Sequence, residues 1–216
     1  MNGLASIWLV FILALNFGVS WLNARTCGRA WVESKAVGGS IRFLVWCGAI
    51  QSAIGFSSVF LLPLLFVANA IAPEYFTGDQ LDAAVSLWYL TIIVPALGTG
   101  LLITIESWIA AYRERSLANI GVAAYNTLVQ VHNTMGAINS FGPALNAVGK
   151  AFSSVAASRG DAKGKAAVLG IMIAVAVVAI SLSAGVVLTA ALIHRYAATV
   201  PLPGPARAPT ASKAVV

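Results

Sequence analysis

Four apolar stretches, Gly3 to Leu22, Phe43 to Ala72, Ala83 to Tyr112 and Ala166 to Ile193, divide this chain, and Glu106 is the one charged side chain inside them. A helix rises ~1.5 Å per residue and the hydrocarbon core of a bilayer is ~30 Å thick, so about twenty apolar residues cross it. All four stretches reach that length. The reading is an all-α integral membrane protein with four transmembrane helices and a cytoplasmic amphipathic helical segment between helices three and four. Residues 1–112 form a three-span unit, 113–165 the cytoplasmic segment, 166–193 the fourth transmembrane helix and 194–216 a disordered proline-rich tail.

Of the 216 residues 59% are hydrophobic and only 9% charged, with a mean hydropathy of +0.88. Soluble domains carry roughly a quarter charged residues, and no soluble fold hides this much apolar surface. The net charge of +6 comes from basic residues spread beside the spans. That placement suits anionic lipid headgroups and argues against a nucleic-acid partner. Cys27 and Cys47 form no CxxC pair and have no histidine nearby in sequence, so neither a disulfide nor a metal site is expected.

The charges set an orientation. Arg25, Arg29, Lys35 and Arg42 follow the first stretch, the connection over 73–82 holds only Glu74, Asp79 and Asp82, and the third connection adds Arg113, Arg115, Lys150, Arg159, Lys163 and Lys165. Ten of the 13 basic residues therefore fall in the first and third connections, which the positive-inside rule places in the cytoplasm of an inner (plasma) membrane. Both termini are then expected outside, against which Arg195, Arg207 and Lys213 weigh. No Lys or Arg precedes the first stretch, so it reads as an uncleaved anchor, not a signal peptide. Trp88 with Tyr89, and Trp108 with Tyr112, fit interfacial belts, as do Trp21 and Trp31. Pro63 and Pro95 are the expected kinks.

In the third connection larger apolar residues recur three and four apart, which predicts helix. Gly142 and Pro143 predict a junction between two amphipathic helices. Their stripe, Leu128, Val131, Met135, Ile138, Leu145, Val148, Phe152 and Val155, is the candidate interaction surface. Asn126, Gln130, Asn133, Thr134 and Asn139 form a polar, uncharged opposite face, and His132 reads as an ordinary member of it. Residues 158–165 read as a flexible basic turn, and the four prolines from Pro201 to Pro209 predict an extended tail.

An ionisable group at membrane depth is a functional candidate, which singles out Glu106, with Arg113 two turns later as its expected partner. Asn16, Ser20 and Asn23 share one face of the first span, and Gly48, Gln51, Gly55 and Ser58 one face of the second. Uncharged polar side chains in lipid seek partners across helices. Asn16, Ser20, Gln51 and Glu106 are therefore expected to converge in the cytoplasmic half. In the fourth span, Gly170 with Ala174, Ala179 with Ser183, and Ser181 with Gly185 are small pairs suited to close packing.

No triad, paired carboxylate, metal-ligand set or nucleotide-binding loop is present in the sequence, so neither an enzyme nor a cofactor is expected. The leading expectation is a non-enzymatic structural or assembly subunit of a larger envelope or mobile-element complex. Its partners would be the lipid bilayer and either further copies of itself or other membrane-protein subunits, met through the cytoplasmic segment and the fourth span. The alternatives are a homo-oligomeric ion or proton channel or small transporter using the cluster around Glu106, and a holin-like or fusion-like membrane-perturbing protein.

Overall fold

The computed structural model describes residues 3–37, 39–157 and 162–200. Among them every element is a helix: α1 (Gly3–Val37), α2 (Gly39–Ile71), α3 (Gly78–Arg113), α4 (Leu117–Ala157) and α5 (Ala162–Ala197). Four are long and apolar enough to cross a membrane, with candidate spans Ile7–Ser34, Arg42–Ile71, Gly78–Arg113 and Gly164–Ala197. The turn of 158–161 and the tail from Pro201 lie outside the described residues.

The helices alternate in direction. Cys27 on α1 faces Gly48 on α2, and Ser52 of α2 donates to the Ser20 carbonyl of α1 at 2.9 Å, so these two run antiparallel. Trp88 Nε1 donates to Ser57 Oγ at 3.1 Å while Gln51 meets Ala96 and Thr99, which reverses α3 against α2. Gly170, early in α5, packs on Tyr75 and Gln80 beside the start of α3; Gly185 meets Ala53 and Ser57 of α2; and Gly28 of α1 meets Ile193 and Tyr196 near the end of α5. Thus α1 and α5 run parallel. The first residues of α1 and the last of α5 lie at opposite ends of the bundle.

The α2–α3 turn is fixed by Asn69 Nδ2 donating to the Phe76 carbonyl at 3.0 Å and by the fully buried Phe76 ring. At the start of α3 the Thr77 N–H donates to Gln80 Oε1 at 3.2 Å, supplying an acceptor to a helix end that lacks its own. One apolar core gathers Leu61, Leu65, Phe76, Ala84, Ala174, Val177 and Val178; a second joins Ala24, Phe56 and Leu192 beneath Phe17 and Trp21. Elsewhere many of the buried residues are small, among them Ser20, Ser34, Ser52, Ser57, Ser181, Ala123, Ala137, Ala144 and Ala151, with Val32, Val45, Gln80, Ile92 and Ile93 buried beside them. Large apolar residues such as Trp8, Phe11, Leu15, Val94, Met172 and Val187 are exposed. Small residues inward and large ones outward is the arrangement of helices packed in lipid.

Several expectations change. α1 does not stop at Leu22 but continues to Val37, because no proline intervenes and Gly28 closes against α5. Arg25 and Arg29 therefore ride on a helix, and the Arg25 guanidinium lies 5.7 Å from the Tyr196 ring centre. Trp88 and Tyr89 are half-buried and line a cavity between the helices, Trp88 with a bond to Ser57. α4 is one helix with Pro143 inside it rather than two meeting at Gly142 and Pro143. Pro143 and Asn139 are both exposed, so the helix bond that the proline removes lies on the outer surface.

α4 lies along α3 for much of its length. Trp108 Nε1 donates to Thr127 Oγ1 at 2.9 Å, Thr104 Oγ1 approaches the Asn126 carbonyl at 3.4 Å, Gln130 Nε2 donates to the Leu97 carbonyl at 3.1 Å, and the Tyr89 hydroxyl lies 3.4 Å from the Gly136 carbonyl. The buried face of α4 is Ala123, Ala137, Ala144 and Ala151, seven or fourteen residues apart, with half-buried Gln130 completing the row. A seven-residue repeat keeps one line of side chains facing a neighbouring helix. Of the expected stripe, Val148 and Val155 are half-buried, whereas Leu128, Val131, Met135, Ile138, Leu145 and Phe152 are exposed.

These glycine contacts yield a direct test. A Cβ at Gly185 would run into the α2 backbone at Ala53 and Ser57, whereas nothing stands within 4 Å of one at Gly98. Gly185→Ala is expected to destabilise the bundle by about 1–3 kcal/mol, the range for overpacking. Gly98→Ala is expected to be neutral or slightly stabilising. Thermal unfolding in mild detergent compares the two, and equal melting temperatures would refute the close α2–α5 contact.

Candidate functional site

Asn16, Ser20 and Asn23 occupy one face of α1 at helical spacing, opposite Gln51, Gly55 and Ser58 of α2. Gly55 lets the two backbones approach, because a Cβ there would collide with the Ser20 side chain. Across this contact Asn16 Nδ2 donates to Ser58 Oγ at 2.5 Å, and Ser58 Oγ donates in turn to the Gly55 carbonyl at 2.7 Å. Gln51 reaches the other way, its Nε2 donating to the Ala96 carbonyl at 2.8 Å and to Thr99 Oγ1 at 2.7 Å. Thr99 Oγ1 donates to the Pro95 carbonyl at 2.6 Å. Gly100 leaves the gap that the Gln130 amide fills on its way to Leu97. Gln51 of α2 and Gln130 of α4 are thus both tied to α3 carbonyls just beyond Pro95.

Beside these bonds lies a cavity of about 440 Å³ bounded by α1, α2, α3 and α4. α1 contributes Asn16, Ser20 and Asn23; α2 contributes Gln51 and Ser58; α3 contributes Tyr89; and α4 contributes His132, Asn133 and Ser140. Apolar floor is supplied by Val19, Ile54, Ile92 and Ile93. Asn23, His132, Asn133 and Ser140 are exposed, so the cavity opens between α1 and α4. Its lining holds no Asp, Glu, Lys or Arg. Chemically it offers amide, hydroxyl and imidazole groups that donate or accept hydrogen bonds.

Of the four residues expected to converge, Asn16, Ser20 and Gln51 line this cavity and Glu106 does not. Glu106 is half-buried on α3 and has neither a hydrogen bond nor an ion pair among the described residues, Arg113 included. The places at the cavity belong instead to α4 residues. Their signal was in the sequence: Asn133 and Ser140 stand seven residues apart beside the Ala123 to Ala151 row.

A second hollow, of about 590 Å³, lies between α1, α2 and α5 and is lined mainly by apolar groups. Trp31 and Trp46 stand edge to face at its rim with ring centres 6.0 Å apart. Thr189 Oγ1 faces this region buried and without a hydrogen-bond partner among the described residues. Cys27 and Cys47 are buried and free. Among the described residues no three His, Cys, Asp or Glu side chains come together to hold a metal ion.

Hydrogen bonds between membrane helices contribute about 0.6 kcal/mol on average and up to about 1.7. Gln51→Leu, which removes two of them, is expected to lower unfolding stability in detergent by about 1 kcal/mol. Glu106→Gln, at a side chain without a partner among the described residues, is expected to leave it unchanged. Equal losses from the two would show that Glu106 belongs to the network after all.

Comparison with known protein families, with curated proteins and with solved structures finds no match for this chain.

Proposed function

We propose that this chain is a non-enzymatic integral membrane subunit that helps to assemble a larger membrane complex, through the polar opening between α1 and α4. One observation supports this reading above the others. Exposed amide, hydroxyl and imidazole groups of Asn23, His132, Asn133 and Ser140 stand beside a helix that is long and apolar enough to cross the bilayer. In hydrocarbon each unsatisfied polar group costs several kcal/mol. Polar side chains of a neighbouring subunit, presented in the plane of the membrane, would satisfy them. The basic end of the bundle would face the cytoplasm of an inner (plasma) membrane.

Release from native membranes in mild detergent, followed by the mass of the intact complex, tests the reading. The wild-type chain is expected to emerge with further copies or with other subunits. The double variant His132→Leu with Asn133→Leu, which makes the opening apolar, is expected to lose them while still inserting. A monomeric wild-type chain would contradict the proposal.

The cavity itself favours a second reading, a homo-oligomeric channel or small transporter in which several copies enclose the polar opening around water. That version predicts cation or proton flux into proteoliposomes which falls with His132→Leu and persists with Glu106→Gln. Flux lost with Glu106→Gln but not with His132→Leu would return the pathway to Glu106.

A further inference from the structure

We propose that α4 is a fifth membrane-embedded helix, its row of large apolar residues covered by lipid acyl chains, so that the two chain termini lie on opposite faces of the membrane. Hydropathy alone does not select α4, because its inward face is alanine and amide rather than leucine. Depth does. The contacts of Tyr89, Leu97, Thr104 and Trp108 with Gly136, Gln130, Asn126 and Thr127 run over ~29 Å of α3, about one hydrocarbon thickness. A helix held against a membrane span over that distance shares its surroundings.

The sequence of α4 is compatible with that position. From Ser116 to Gly149 it carries no Asp, Glu, Lys or Arg, a charge-free length of about 51 Å at helical rise. Several of its polar groups turn toward α3 or the cavity: Gln130 to the Leu97 carbonyl, Thr127 to Trp108, and Asn133 to the cavity, while Asn139 and Asn146 are exposed polar side chains outside that lining. Outward, Leu128, Val131, Met135 and Ile138 continue the apolar surface that α3 presents through Leu101 and Ile105. That continuity with a spanning helix identifies acyl chains as the occupant of the row. Lys150 lies fourteen residues, ~21 Å, past Gly136, beyond the level at which α3 begins.

With five crossings the basic side is preserved in a different form. Arg25, Arg29, Lys35, Arg42, Arg113, Arg115, Arg195, Arg207 and Lys213 fall on one face, nine of the 13 basic residues. Lys150, Arg159, Lys163 and Lys165 fall on the other, matched by Glu74, Asp79, Asp82 and Asp161. The Arg195 end of α5 then belongs to the basic face, where the four-span arrangement had set it against the rule. Loop charges by themselves do not separate the two arrangements, since four spans give a ten to three division; the packing of α4 on α3 does. The inference stands whether or not a second subunit fills the polar opening, and its test is independent of complex mass.

Single cysteines placed on a Cys27→Ala, Cys47→Ala background provide that test, using Asp79→Cys, Arg115→Cys, Asp161→Cys and Ser212→Cys in the full chain. A membrane-impermeant maleimide is applied to sealed right-side-out vesicles before and after permeabilisation. Positions 79 and 161 are expected to label from outside, and positions 115 and 212 only after permeabilisation. Labelling of 161 together with 115, or of 212 together with 79, would overturn the fifth crossing. Protease access to a carboxy-terminal epitope on the otherwise unaltered chain repeats the measurement without internal substitutions: protection in sealed right-side-out vesicles is expected, and cleavage there would overturn it.

Discussion

Close approach of helix backbones through small side chains is the interaction on which this bundle depends. Acyl chains are as apolar as leucine, so burying a leucine between membrane helices brings little gain over leaving it in lipid. Contact and hydrogen bonding must hold the helices instead. Gly55 against Ser20, Gly185 against Ala53, Gly28 against Ile193 and Gly170 against Tyr75 set the distances between α1, α2, α3 and α5. The alanine row of α4 does the same against α3. Outside the two cores built on Phe56, Leu61, Leu65, Phe76 and Leu192, many large residues are left exposed, as Trp8, Phe11, Met172 and Val187 show.

Once backbones are that close, their carbonyls come within reach of side-chain donors from neighbouring helices. Ser52 finds Ser20, Gln51 finds Ala96, and Gln130 finds Leu97. These carbonyls retain a lone pair beyond the one engaged in the helix, so they accept a second donor without loss of helical bonding. The polar residues of the bundle thus divide into two sets. One ties helices together. The other, with Asn23, His132, Asn133 and Ser140, opens at the surface between α1 and α4 and carries the functional proposal.

The four apolar spans were legible because a soluble helix needs only one apolar stripe, whereas a run of about twenty apolar residues covers every face of a helix and suits lipid on all sides. The faces of α1 and α2 were legible too, since Asn16, Ser20, Gln51 and Ser58 stand at helical spacing in otherwise apolar segments. The packing of α4 along α3 was not legible, for a physical reason. A helix that packs through alanine and reaches through glutamine shows no stripe of large apolar residues on its buried face, and Pro143 suggests a break that the helix does not make. The pairing of Glu106 with Arg113 failed because helical spacing on one element does not bring two flexible side chains together. In α5, Gly170, Ala174, Ser181 and Gly185 lie on the buried face while Ala179 and Ser183 are exposed; small residues four apart occur on both faces, so spacing alone did not distinguish these pairs.

The position of α4 determines the depth of the polar cavity, the number of crossings and the side on which the chain ends. Cysteine cross-linking in native membranes tests it most directly, using Trp108→Cys with Thr127→Cys near the α3–α4 turn and Tyr89→Cys with Gly136→Cys far from it, each on the background without Cys27 and Cys47. Both pairs are expected to cross-link. A bond at 108–127 without one at 89–136 would show α4 leaving α3 after the turn, as a segment outside the bilayer, and would contradict the account.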